Sequence, residues 1–162
     1  MNNNTNKNNK TSLLVTTALM TALVFICTVL LKIPVGPDCY IHLGDAVIIL
    51  AVLKLPRPYA CFAGSVGATL ADLIGGFAFW APWTFFVKLL MVLVLGIFVD
   101  KSKNILGFVV AGIVAVIGYF CSEYMLFGSW APAATCIPFN IIQVTVGAVV
   151  AEIISKRTKP LQ

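Results

Sequence analysis

Apolar runs close to 20 residues long recur through this chain, broken only by short stretches carrying proline, glycine or charge. As a helix, a run of that length covers the roughly 30 Å hydrocarbon core of a bilayer. Of the 162 residues 60% are hydrophobic and 10% charged, against roughly 25% charged in a soluble domain. The chain therefore reads as an all-α integral membrane protein. Five or six crossings consume its length, so it forms one compact helical domain with no soluble domain beside it.

The breaks divide the chain into six transmembrane helices. The first is 12–31; the second, 44–55, is short and ends at Pro56-Arg57-Pro58; the third, fourth and fifth are 59–79, 82–99 and 105–127. The sixth begins between Ala131 and Pro138, and Pro138 in a first-turn position is the preferred start, because a proline there forfeits no intrahelical bond. Residues 12–157 form the membrane domain. The Asn-rich segment 1–11 is too hydrophilic to fold, and 158–162 is a polar tail. The 12–31 run is longer than the apolar part of a signal peptide and has no small-residue cleavage site after it, so cleavage is not expected.

Basic residues fix the orientation. With the N-terminus cytoplasmic, that side collects Lys7, Lys10, Lys54, Arg57, Lys101, Lys103, Lys156, Arg157 and Lys159, and the outer side only Lys32. Cytoplasmic loops carry such an excess, so both termini are expected inside. The net charge of +5 thus reports topology. A nucleic-acid surface would need these residues clustered on one polar face.

The longest polar interruption, 32–45, then faces outward. Pro34, Gly36 and Pro37 forbid a continuous helix, and the loop carries Asp38, Tyr40, His42 and Asp45 into the next span. Further polar residues lie within spans, where ionisable groups are costly and by default mark a site. Counting about 1.5 Å per residue, Asp72 and Lys88 sit roughly 10 Å deep on two arms of one hairpin, where they can meet. Glu123, Asn140 and Gln143 also fall in the outer half. A pore needs polar groups through the full thickness; this one-sided set predicts a closed pocket open to the outside. Asp45, Asp72 and Glu123 are its acceptors, Lys88 its cation, His42, Asn140 and Gln143 its mixed partners, and Tyr40, Trp80, Trp83 and Tyr119 its stacking surfaces. Such groups suit a small heteroaromatic ligand with hydroxyl or amine substituents. Structural alternatives stand beside each assignment: Asp72 with Lys88 as an ion pair, His42 and Asp45 as an interfacial helix start, Asn140 as a helix bridge, Glu123 as a snorkelling carboxylate, and the tryptophans as belt residues.

Neither catalysis nor metal chemistry has a motif here. The five cysteines are odd in number, contain no CxxC pair and read as small buried hydrophobes. No nucleophile stands beside a base, no metal-ligand cluster recurs, and no Gly-x-x-x-x-Gly-Lys loop marks an ATPase. No cofactor is expected.

On the first span Ala18 and Ala22 form a small-xxx-small pair, a pattern that lets helix backbones approach closely in lipid. Together with the HLGDA run at His42 to Ala46 and the P-x-N-x-x-Q-x-x-x-G run at Pro138, Asn140, Gln143 and Gly147, this arrangement resembles the S component, the substrate-binding subunit, of energy-coupling factor (ECF) vitamin transporters. The resemblance covers nearly the whole chain. It implies six helices in a prokaryotic plasma membrane, a first outer loop acting as a lid, and a pocket for a water-soluble vitamin. Ala18 and Ala22 would dock on a transmembrane coupling subunit, and two ATP-binding-cassette ATPases would supply the energy. HLGDA looks closest to members handling riboflavin, pyridoxine or hydroxymethylpyrimidine, with a single-ring ligand preferred. The other function classes are a membrane-embedded enzyme using Asp72, Glu123 or His42, and a stand-alone carrier.

Overall fold

The structure is a computed structural model that describes residues 3–35 and 40–158, with side chains from Asn9 onward. Gly36, Pro37, Asp38, Cys39 and Lys159, and the side chain of Lys7, lie outside the described residues. Six helices follow in chain order: α1 (Asn3–Leu30), α2 (Gly44–Lys54), α3 (Arg57–Ile74), α4 (Ala81–Val99), α5 (Asn104–Phe127) and α6 (Trp130–Arg157). Between α1 and α2, strands β1 (Lys32–Pro34) and β2 (Tyr40–His42) pair antiparallel, Lys32 opposite His42.

The helices close a ring, α1 against α3, α3 against α4, α4 against α5, α5 against α6, α6 against α2 and α2 against α1, with α2 also reaching inward to α3 and α4. Among the described residues four helices are long and apolar enough to cross a membrane: Asn9–Leu30 within α1, then α4, α5 and α6. At 11 residues α2 is only about 17 Å long. Its position explains how so short an element is tolerated, since Gly44 to Ile49, Ala51 and Val52 are all buried in protein. The outside of the ring is apolar, with Leu19, Leu30, Ile74, Phe86, Ile105 and Met125 exposed. In water such a surface would aggregate; in lipid it is the solvated face. Inside, the largest fully buried side chain is Lys88.

Small residues set the spacing. A Cβ on Gly67 would stand 2.8 Å from the Thr21 carbonyl and 2.8 Å from Val24 Cβ, so α1 and α3 meet almost backbone to backbone. The face α1 turns inward is Thr17, Thr21, Val24 and Thr28. Thr17 donates to the Leu13 carbonyl (2.7 Å) and Thr21 to that of Thr17 (2.8 Å), which satisfies those two hydroxyls within the helix. One end of the bundle is basic. There Lys54 donates from Nζ to the carbonyls of Ser155 (3.1 Å) and Thr158 (2.7 Å), and Arg57 pairs with Asp100.

Three features differ from the sequence reading. Helix α6 starts at Trp130, with Pro138 inside it. Pro132 falls in the first turn, where a missing N–H is free, while Pro138 withholds one interior bond from a helix long enough to bear it. Helix α1 reaches back to Asn3, over residues whose polarity predicts no fold; extending a formed helix costs far less than nucleating one. Cys136 is disulfide-bonded. Cys27 and Cys61 are free and half-buried, and Cys121, also free, is exposed on α5.

Candidate functional site

The HLGDA run turns the chain from β2 into α2, and its glycine is needed by contact. A Cβ on Gly44 would fall 2.0 Å from Thr28 Oγ1 and 2.9 Å from His42 Nδ1, so only glycine lets α2 start this close to α1. With that start fixed, Asp45 points into the protein and is wholly buried. Its Oδ1 accepts from Lys88 Nζ on α4 at 2.5 Å, and its Oδ2 from Gln143 Nε2 on α6 at 2.9 Å. The α6 motif makes the second bond reachable. Gly147, one turn beyond Gln143, faces α2 so closely that a Cβ would sit 3.1 Å from the Ala46 nitrogen and 3.2 Å from Asp45 Cβ.

Gln143 passes the connection on, its Oε1 accepting from the His42 backbone N–H at 3.1 Å. The His42 ring in turn accepts from the Gly44 N–H at Nδ1 (3.1 Å), which leaves Nε2–H as the one donor of the neutral ring. Burial is the largest influence on His42, opposed by Asp45 and reinforced by Lys88 and Lys32, and its pKa falls from the ordinary 6.5 to about 4. The imidazole is therefore neutral at physiological pH.

A folded-state pKa below the unfolded one makes acid destabilising. Above pH 6.5 both states are neutral; as pH falls from 6.5 toward 4 the unfolded chain takes a proton that the fold refuses. The shift is worth about 3 kcal/mol. Thermal midpoints in detergent should accordingly drop over that window, and His42→Asn, which keeps an acceptor near Nδ1, should flatten the drop. Parallel profiles for both proteins would show that His42 is not the group responsible.

Beneath the ribbon lies a cavity of about 50 Å³ lined by Tyr40 and His42 from β2, Trp80 and Thr84 at the start of α4, Tyr119 and Glu123 from α5, and Cys136, Phe139, Asn140 and Gln143 from α6. Seven residues expected at the site are thus brought together: Tyr40, His42, Trp80, Tyr119, Glu123, Asn140 and Gln143. Trp80 is buried, its ring edge-on to Phe127 at 6.1 Å, and Glu123 is buried too, at 6% exposure, too enclosed for a snorkelling carboxylate. Four expected residues are elsewhere. Trp83 is half-buried off the cavity, Asp45 and Lys88 stand behind its wall, and Asp72 lies to one side.

The expected meeting of Asp72 with Lys88 is corrected by these contacts. Equal depth on one hairpin does not make two side chains face each other, and Lys88 turns to α2, where the Asp45 carboxylate accepts from it. Asp72 instead accepts at Oδ1 from the Tyr40 hydroxyl (3.0 Å) and interacts with the Thr84 hydroxyl, which also reaches Tyr119. Burial first, then Asp72, pushes the Tyr40 phenol far above its ordinary range, so it serves only as a donor. Lys32 sits over the rings of Tyr40 (4.0 Å) and Phe77 (3.4 Å) and completes the fastening of the ribbon to the α3–α4 turn. Thr84, Cys136 and Phe139 line the cavity without having been expected there. Thr84 and Phe139 carry no charge to mark them, but Thr84 lies one turn from Trp80 and Phe139 directly before Asn140, positions a helical count from the predicted residues reaches.

Among the described residues no three His, Cys, Asp or Glu side chains gather as a metal site. Cavity and network together form a lined recess with fixed donors and acceptors and flanking aromatic rings, an arrangement built for holding a small molecule. A family profile described as "ECF-type riboflavin transporter, S component" matches residues 8–160. A Pyrococcus woesei protein described as an uncharacterized protein in the gap 3' region is 32% identical over 149 residues, spanning 85% of this chain and 98% of the relative. The chain is a multi-pass plasma-membrane protein, and it belongs to the S-component family of ECF-type transporters.

Proposed function

We propose that this chain captures a flat heteroaromatic vitamin at the outer face of the membrane and hands it to ATP-driven uptake through a coupling subunit and two ATP-binding-cassette ATPases. The proposal rests on one cavity, beneath the ribbon, where aromatic rings (Tyr40, Trp80, Tyr119, Phe139) stand among neutral and acidic hydrogen-bonding groups (His42, Thr84, Glu123, Asn140, Gln143). Rings supply stacking area and the polar groups fix orientation. Six spans with both termini cytoplasmic are supported by the basic end formed by Lys54, Arg57, Lys101, Lys103, Lys156 and Arg157; with that end inside, the ribbon faces outward. The family match to a transporter's binding subunit, and not to an enzyme, supports this reading over catalysis.

Ligand size separates two versions of the proposal. The matched family is described by riboflavin, a tricyclic vitamin. The cavity of about 50 Å³ has room for only a few waters, so a single ring of the pyridoxine or hydroxymethylpyrimidine type needs the smaller movement of the ribbon. Protein purified in mild detergent, denatured and examined by mass spectrometry, should release one such vitamin chemically unchanged. Titration of stripped protein with riboflavin, pyridoxine and hydroxymethylpyrimidine should rank the same compound first. Release of a chemically altered product would instead support an enzyme.

A further inference from the structure

The buried charges behind the cavity have no place in ligand contact, although they are the costliest groups in the bundle. Asp45 and Lys88 are both fully buried and bonded at 2.5 Å, and neither lines the cavity. Lys88 Nζ also lies 5.0 Å from the centroid of the Tyr119 ring. The pair's route to the cavity runs through Gln143. Asp45 Oδ2 accepts from the amide nitrogen of Gln143, which turns the amide oxygen the other way, onto the His42 N–H. An amide free to flip would present its NH₂ to that N–H half the time.

We propose, resting on the function above, that Asp45 and Lys88 are positioning residues: they lock the Gln143 amide and through it the His42 backbone, so that His42 offers Nε2–H to an acceptor atom of the ligand. Lys88 Nζ holds Asp45 Oδ1 at 2.5 Å and so aims Oδ2 at Gln143. The ligand's matching feature is a ring nitrogen or carbonyl oxygen on the edge that faces His42. A site that hydrogen-bonds such an atom discriminates strongly against an analogue lacking it.

The chain has one histidine, so ¹⁵N-histidine labelling yields one backbone amide signal and one pair of ring nitrogens. Two charge-neutral double variants separate geometry from charge. Asp45→Asn with Lys88→Met keeps an acceptor for Gln143; Asp45→Leu with Lys88→Met removes it. The first should show wild-type His42 amide exchange, ring nitrogens with the proton on Nε2, and near wild-type vitamin affinity. In the second, amide exchange should quicken and affinity fall, each by about tenfold, the worth of one net hydrogen bond. Gln143→Met, which leaves the ion pair intact, should quicken exchange equally and gives the same answer where the leucine variant does not fold. Equal exchange in all variants would overturn the proposal, as would an asparagine variant as defective as the leucine one, since charge alone would then act. If the wild type binds none of the three vitamins, the functional reading fails, while the amide and ring signals still decide the positioning role.

Discussion

Leucine at both Ala18 and Ala22 should leave the protein folded and its vitamin affinity near wild type, yet abolish vitamin uptake and co-purification with a coupling subunit. Helix α1 has two faces. Thr17, Thr21, Val24 and Thr28 are buried against the bundle, whereas Ala18 and Ala22 are exposed on the opposite side, beside the exposed Leu14, Leu19 and Leu23. Adding three carbons at each position disturbs no internal contact and keeps the face lipid-soluble. The two alanines leave a shallow place in an otherwise bulky surface, where another helix can bring its backbone close and gain dispersion along its length. Two leucines fill that place. Pull-down on a tagged coupling subunit and uptake of labelled vitamin read the loss, and a binding titration reads what is kept. Loss of vitamin binding along with uptake would contradict an outer docking face.

Lys88→Met should have the largest effect on stability of any single replacement in the bundle. It strands the Asp45 carboxylate at full burial with Gln143 as its remaining donor. Breaking a buried pair on one side costs about 3–5 kcal/mol, a large part of the about 5–15 kcal/mol that holds a domain together. Adding Asp45→Asn should recover most of the loss by removing the stranded charge. Adding Asp72→Asn should recover little, because Asp72 is bonded to Tyr40 instead. Thermal unfolding of the three variants in one detergent makes the comparison, and rescue by Asp72→Asn in place of Asp45→Asn would show that the pairing is otherwise.

The contrast between those two aspartates shows what the sequence could and could not convey. Apolar run length marks α4 and α5 almost to the residue, because a lipid-facing helix must be apolar along its whole length, while α1 and α6 both begin earlier than expected. Helix α2 is shorter and mostly buried, so its burial, which is what makes it central, leaves no periodic stripe to read. Depth along a helix was also legible: Asp72, Lys88, Glu123, Asn140 and Gln143 do cluster toward the ribbon end. Azimuth was not. Whether Lys88 turns to α3 or to α2 depends on how near Gly44, Gly67 and Gly147 let the backbones come, and a glycine in the sequence does not say what it faces. The motif glycines were visible as letters; their function as clearances of about 3 Å emerges only once helices are packed. Pro138 misled for a related reason, since Pro132 supplies an equally good first-turn proline eight residues upstream of the interior asparagine.

Reconstituted uptake tests the central claim most directly. Proteoliposomes containing the coupling subunit and both ATPases, with ATP on the ATPase side, should accumulate the vitamin identified by mass spectrometry only when this chain is present, and not with Ala18→Leu/Ala22→Leu. Accumulation by this chain alone, without the coupling subunit or ATP, would contradict the account and make it an independent carrier.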